Sequence, residues 1–126
     1  MFMQDREVLS LFDDWNKALK TLDSSKVVKL YADNAVLLPT LSNSVRHNHS
    51  EIQSYFESFL MKQPQGSIDE SNIRIFSEVV IHSGIYTFEF KNPDSERHVK
   101  CRFTFVYGLI DGAWKILEHH SSAMPE

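Results

Sequence analysis

His98-Val99-Lys100-Cys101-Arg102-Phe103-Thr104-Phe105-Val106-Tyr107-Gly108-Leu109 runs through Ile110-Asp111-Gly112 into Ala113-Trp114-Lys115-Ile116-Leu117-Glu118-His119-His120-Ser121. Apolar and polar residues alternate on both sides of Asp111-Gly112. Asp-Gly is a two-residue turn that tolerates positive φ at both positions, so the stretch reads as a β-hairpin. Arg102 and Thr104 share one face of its first strand; Phe103, Phe105 and Tyr107 share the other. The same period of two extends back through Ile68–Phe76 and Val79–Phe90. Turns fall at Ser77-Glu78 and at Asn92-Pro93-Asp94-Ser95. Gly84, inside a strand, predicts a bulge or bend. Four long antiparallel strands result.

Before Ser67 the period changes. Val8, Leu11, Phe12, Trp15, Ala18, Leu19 and Leu22 recur at three- and four-residue steps, which predicts an amphipathic helix over 4–22. Asp23-Ser24-Ser25 recaps the chain for a short helix carrying Val27, Val28, Leu30 and Tyr31, closed by Ala32-Asp33-Asn34. Ala35–Pro39 reads as a short strand, Thr40–Ser44 as a loop and Val45-Arg46 as another short strand. Ser50, with Gln53 three residues on, predicts the cap of a third helix with Ile52, Tyr55, Phe56, Phe59 and Leu60 on its apolar stripe. Pro64 and Gly66 stop it. The pattern predicts one α+β domain over residues 1–126. Three N-terminal helices pack on a curved antiparallel sheet, forming a cone with an open mouth.

Composition narrows the function classes. The 126 residues suit one domain, and 42% hydrophobic with 24% charged residues is enough to bury a core. Nine Phe, four Tyr and two Trp favour a sheet with a large apolar face. Aromatics on both strand faces would call for a second copy of the chain over the outer face, hence a homodimer. The formal charge of −4, with dispersed Lys and Arg, argues against nucleic acid as a partner. No apolar run approaches the roughly 20 residues of a membrane span, and the first residues lack a signal-peptide pattern. Cys101 is the only cysteine. It cannot form an intrachain disulfide, reads as a packed small hydrophobe, and fits a cytoplasmic protein. No cofactor is expected.

Several side chains are candidates for a site. Trp15, Tyr31 and Phe56 lie on helix stripes facing the sheet, as pocket wall or as plain core. Arg46 offers a bidentate donor to a carboxylate in the pocket, or stands solvated at an edge. Arg102, with Thr104 beside it in the pocket, would serve as an anion clamp there; its alternatives are an interface ion pair or a surface residue. His119 and His120 are adjacent on a strand, point to opposite faces and cannot chelate one metal together. One arrangement puts His120 in the cone with Glu118 nearby, a pair able to move a proton. His47 and His49 have the spacing of strand metal ligands but no third partner, so no metal site is read. Ser121 and Ser122 lack the context of a serine nucleophile.

Trp15-Asn16-Lys17-Ala18-Leu19, Leu30-Tyr31-Ala32-Asp33, Val36-Leu37-Leu38-Pro39-Thr40, Tyr107 to Trp114 and the closing His119-His120-Ser121-Ser122-Ala123-Met124-Pro125-Glu126 carry a resemblance. The chain resembles the nuclear transport factor 2-like, or ketosteroid isomerase-like, superfamily with its cone-shaped cystatin-like fold. Within it, the chain is most similar to the association-domain branch of calcium/calmodulin-dependent protein kinase type II, among small bacterial proteins. With no kinase domain here, the resemblance implies a stand-alone homologue. It also implies a fold shared by isomerases, dehydratases, cyclases and assembly domains, so fold alone does not select a reaction. The general-base Asp of ketosteroid isomerases has no counterpart, because Leu37-Leu38-Pro39-Thr40 occupies that stretch. Ser121 stands where the association (hub) domain of the kinase carries an Arg just after its final-strand His, so the resemblance does not carry over the hub's anion pocket intact. The expectation is a homodimer, weakly catalytic or not catalytic, holding a small apolar or carboxylate-bearing molecule in the cone. The alternatives are an isomerase, cyclase or dehydratase using His120 with Glu118 or Tyr31, and a pure oligomerisation hub.

Overall fold

The Asp111-Gly112 turn forms as read: Asp111 has φ 50° and Gly112 φ 81°, the two left-handed positions of a tight hairpin. A computed structural model describes residues 3–40 and 42–125. The expectations for the extreme N-terminus, the Thr40–Ser44 loop and the closing tail fall in part on residues 1, 2, 41 and 126, which lie outside the described residues. The elements are helices α1 (Asp5–Lys20), α2 (Ser24–Val28) and α3 (His49–Phe59) and strands β1 (Tyr31–Leu38), β2 (Pro64–Ile75), β3 (Val79–Phe90), β4 (His98–Ile110) and β5 (Ala113–Ala123). A 3-10 turn, Leu60–Lys62, follows α3.

The sheet order is β1-β5-β4-β3-β2. The four long strands pair antiparallel, as the alternation requires. β1 adds to the edge parallel to β5, an arrangement that needs the long crossover supplied by the rest of the chain. Val45-Arg46 makes only an isolated bridge, Arg46 to Leu37. The predicted bend at Gly84 is real. β2 shifts register between Ile68 and Glu70, and a Cβ on Gly84 would lie 1.9 Å from the Glu70 carbonyl oxygen.

Three local expectations change. Tyr31 starts β1 instead of ending α2, because the helix stops at Val28. Asn48 caps α3 in place of Ser50: its side chain accepts from the Glu51 N–H, while the Glu51 carboxylate accepts from the His47 N–H at 2.8 Å. Pro64 and Gly66 begin β2; the helix has already ended at Phe59. The Asn16 side-chain amide pairs in both directions with the Gly66 backbone, at 2.8 and 3.0 Å, and so pins α1 to β2.

The aromatic residues do not fall on both sheet faces. Tyr86, Phe88, Phe90, Phe103, Phe105 and Tyr107 are all buried on the face under the helices. Trp15 of α1 meets them, 5.5 Å from Phe105 and 6.4 Å from Tyr86 between ring centroids. The outer face instead carries half-buried aliphatics such as Val36, Leu38, Ile81, Ile85 and Val106, with Arg102, Glu118 and His120 exposed among them.

One bulge decides which β5 residues face inward. From the hairpin, Ile110 pairs with Ala113 and Tyr107 with Ile116; the next pair is Val106 with Glu118, so Leu117 is an extra residue. One added residue reverses the inward parity of everything after it. His119 and Ser121 turn in, opposite Phe105 and Phe103, while Glu118, His120 and Ser122 turn out. Gly108 makes room for the bulge, since a Cβ there would lie 2.6 Å from Leu117 Cδ1.

Candidate ligand site in the cone

Beneath the helices the sheet leaves a cavity of about 250 Å³. That is slightly below the roughly 300–1,000 Å³ of sites for drug-sized ligands, so it suits a smaller molecule. Its floor is aromatic and its polar wall comes from the inward residues of β5 and the end of β1. Trp15, Tyr86, Phe88 and Phe90 supply apolar surface; Thr40, His119 and Ser121 supply polar atoms.

The polar groups form one chain. Trp15 Nε1–H donates to Tyr31 Oη at 3.1 Å. Tyr31 Oη lies 2.8 Å from His119 Nδ1, and His119 Nε2 lies 3.2 Å from Tyr86 Oη. The Tyr86 hydroxyl donates to Ser121 Oγ at 2.7 Å, and Thr40 Oγ1 lies 2.6 Å from the same oxygen. Cys101 Sγ is 3.8 Å from Thr40 Oγ1. Each is a partly or fully buried polar group that keeps its partner, as burial demands.

Burial fixes the protonation states. It pushes His119 down to about 3, with the nearby His120 adding to the effect, so the imidazole is neutral at pH 7. Burial also raises the Tyr31 and Tyr86 phenols well above their ordinary range, and raises the Cys101 thiol. Tyr55 is pushed up to about 12 by burial, against the opposing pull of Arg46.

The cavity mouth is cationic. Arg46 and Lys62 both line it, and among the described residues no Asp or Glu does. The Arg46 guanidinium lies over the Tyr55 ring, 5.4 Å from its centroid; Nη1 donates to Ser42 Oγ at 2.9 Å and to the Ser44 carbonyl. Lys62 Nζ sits 5.4 Å from the Phe90 centroid. Among the described residues neither cation forms an ion pair. An aromatic interior, a neutral polar wall and a positive rim suit an apolar body with an anionic group.

The residues expected in the pocket divide. Trp15 and Arg46 line the cavity. Tyr31 stands behind Trp15 as the next member of the hydrogen-bonded chain, and Phe56 is buried core, 6.4 Å from Trp15. Arg102, Thr104, Glu118 and His120 are corrections: the Leu117 bulge and the parity of β4 put all four on the outer face. A proton-moving pair of His120 and Glu118 inside the cone is therefore not formed. His49 Nε2–H donates to the Tyr31 carbonyl at 2.8 Å, and His47 pairs with Glu51 at 3.2 Å. Among the described residues no group of three or more His, Cys, Asp or Glu is placed to hold a metal ion.

His119, Tyr86, Ser121, Tyr55 and Lys62 also line the cavity, although the sequence did not mark them as pocket residues. Gly108, a glycine inside a strand, was the available signal for the bulge that turns His119 and Ser121 inward. Tyr86 stands between Ile85 and Thr87 in a run of clean alternation, so only its parity with Phe88 could have placed it.

Comparison with known proteins gives one family. The profile of the calcium/calmodulin dependent protein kinase II association domain matches residues 4–125. A crystal structure described as a calcium/calmodulin dependent protein kinase II association domain from Xanthomonas campestris is 46% identical, with a TM-score of 0.93 over 98% of this chain and 90% of that one. A cystatin-like-fold protein of unknown function from Nostoc punctiforme is 12% identical, with a TM-score of 0.81 over 100% and 97% of the two chains. A nuclear transport factor 2-like superfamily protein from Salmonella enterica is 13% identical, with a TM-score of 0.80 over 96% and 91%. These distant likenesses establish the cone-shaped α+β fold. A search of curated proteins gave no match. Among the described residues no helix is long and apolar enough to cross a membrane.

Proposed function

The chain belongs to the calcium/calmodulin dependent protein kinase II association domain family, and we propose that it is a self-associating binding protein that holds a small apolar carboxylate in its cone. The observation that carries this reading is the cavity itself, with an aromatic floor and a mouth lined by Arg46 and Lys62 and, among the described residues, by no carboxylate. A charge-assisted pair with arginine is the strongest contact such a ligand would find. His119 has a tyrosine hydroxyl at each ring nitrogen, which favours holding over turnover. Self-association would use the outer sheet face, where half-buried aliphatics sit between polar residues. A cytoplasmic setting accompanies this reading, supported by the one buried, unpaired cysteine.

The test is calorimetric titration with phenylbutanoate and with its neutral amide. The acid should bind and the amide should bind at least tenfold more weakly. Arg46→Ala should cost about tenfold or more, since hydrogen bonds to charged groups are worth about 1.5–3 kcal/mol. Equal binding of acid and amide contradicts the carboxylate reading. Sedimentation of a monomer at micromolar concentration contradicts the sheet-face reading.

A further inference from the structure

The hydrogen-bonded chain in the cone has a direction. Trp15 Nε1–H can only donate. Tyr31 Oη accepts that proton at 3.1 Å, and its own hydroxyl has His119 Nδ1 as partner at 2.8 Å. Were Nδ1 protonated, it would donate to Tyr31 as Trp15 does, and the buried Tyr31 hydroxyl would lose its acceptor. Nδ1 therefore accepts, and the neutral imidazole carries its proton on Nε2. That proton goes to Tyr86 Oη, and the Tyr86 hydroxyl donates onward to Ser121 Oγ at 2.7 Å.

The last link is a pair of hydroxyls, Thr40 and Ser121, with oxygens 2.6 Å apart. Only one can donate to the other. Ser121 already accepts from Tyr86, so the pair keeps one O–H with no oxygen or nitrogen acceptor among the described residues. Cys101 Sγ, at 3.8 Å from Thr40 Oγ1, is the alternative, and sulfur is a weak acceptor. Both hydroxyl residues line the cavity.

We propose that this polarised chain makes the Thr40–Ser121 end of the cavity a subsite for a hydrogen-bond acceptor, so that the ligand is an apolar anion bearing a second acceptor such as a keto oxygen. The proposal rests on the carboxylate reading above. Arg46 and Lys62 are donors as well, so the spare O–H adds to a site whose charged groups only donate. The hydroxyl oxygens keep lone pairs, but a ligand ending in an ammonium would bring a further cation into a cavity that already holds Arg46 and Lys62.

Two measurements on the unmodified protein test this. The first is the nitrogen-15 NMR spectrum of the His119 ring at pH 7, which reads the tautomer without any ligand. The proton should be on Nε2; a proton on Nδ1 overturns the proposal. The second compares phenylbutanoate, its benzylic ketone and its benzylic amine by calorimetry. The ketone should bind about three- to tenfold more tightly than the hydrocarbon, the range one neutral hydrogen bond supplies, and the amine more weakly than both. Equal binding of ketone and hydrocarbon overturns the acceptor subsite and leaves the carboxylate reading standing. Failure of all three to bind overturns the carboxylate reading and the subsite with it.

Discussion

The two sides of β5 carry consecutive histidines into opposite surroundings. His119 is buried under Trp15 and stacked on Phe105, with ring centroids 4.0 Å apart, and a tyrosine oxygen lies at each of its nitrogens. His120 is exposed, across from Thr104 on the outer face. Nothing in the two side chains makes the difference. It comes from Leu117, one extra residue in the strand, and from Gly108, which leaves space for it. A site in this fold is set by strand register as much as by residue type.

Inserting one alanine between Leu117 and Glu118 attacks that contrast most strongly. With the single-residue bulge kept, the insertion sets Glu118 opposite Phe105 and His120 opposite Phe103, which drives both into the aromatic core and expels His119. Burying an unpaired carboxylate and breaking the chain at once should cost more than about 4 kcal/mol. Urea denaturation should find the insertion variant unfolded or nearly so, and wild-type stability would refute the register argument.

Acid should act next, and from pH 7 down to 5 chiefly through two buried rings of the inner face. A histidine in an unfolded chain takes up a proton near its ordinary value of 6.5, while folding holds His119 to about 3 and His82 to about 4, both by burial. Below pH 6.5 the unfolded state binds more protons, so stability falls as pH falls, until the folded values are reached. Each histidine contributes about 1.4 kcal/mol per pH unit, or about 3 for the two together. Denaturation midpoints at pH 7, 6 and 5 should drop accordingly; a flat profile would mean that these rings are not held neutral.

The smallest effect is reserved for the other side. His120→Ala should leave phenylbutanoate affinity within about twofold, because a surface side chain away from the site changes energies by about 0.5 kcal/mol or less. A tenfold loss would place His120 in the cone after all.

Much of this was legible beforehand. The Asp111-Gly112 turn, the four long strands and the inward face of α1 followed from period and turn chemistry, since both act over a few residues. That His119 and His120 part company also followed from strand geometry. Which of them turns inward did not, because a single bulged residue inverts the pattern while leaving composition untouched. The same inversion removed Glu118 from the pocket. Arg102 and Thr104 were assigned to the cone although Phe103 and Phe105, their neighbours, were the better claimants to the buried face. Lys62 was hidden because a 3-10 turn after α3 carries no periodic signal of its own.

The central claim is that the cone holds a small anion with its charge at the mouth. A crystal structure of the complex with the benzylic ketone of phenylbutanoate tests it directly. The carboxylate should lie beside Arg46 and Lys62, the ring on the Trp15 side of the cavity floor, and the keto oxygen at Thr40 and Ser121. A ligand seated on the outer sheet face, or a cone filled by rearranged side chains, would contradict it.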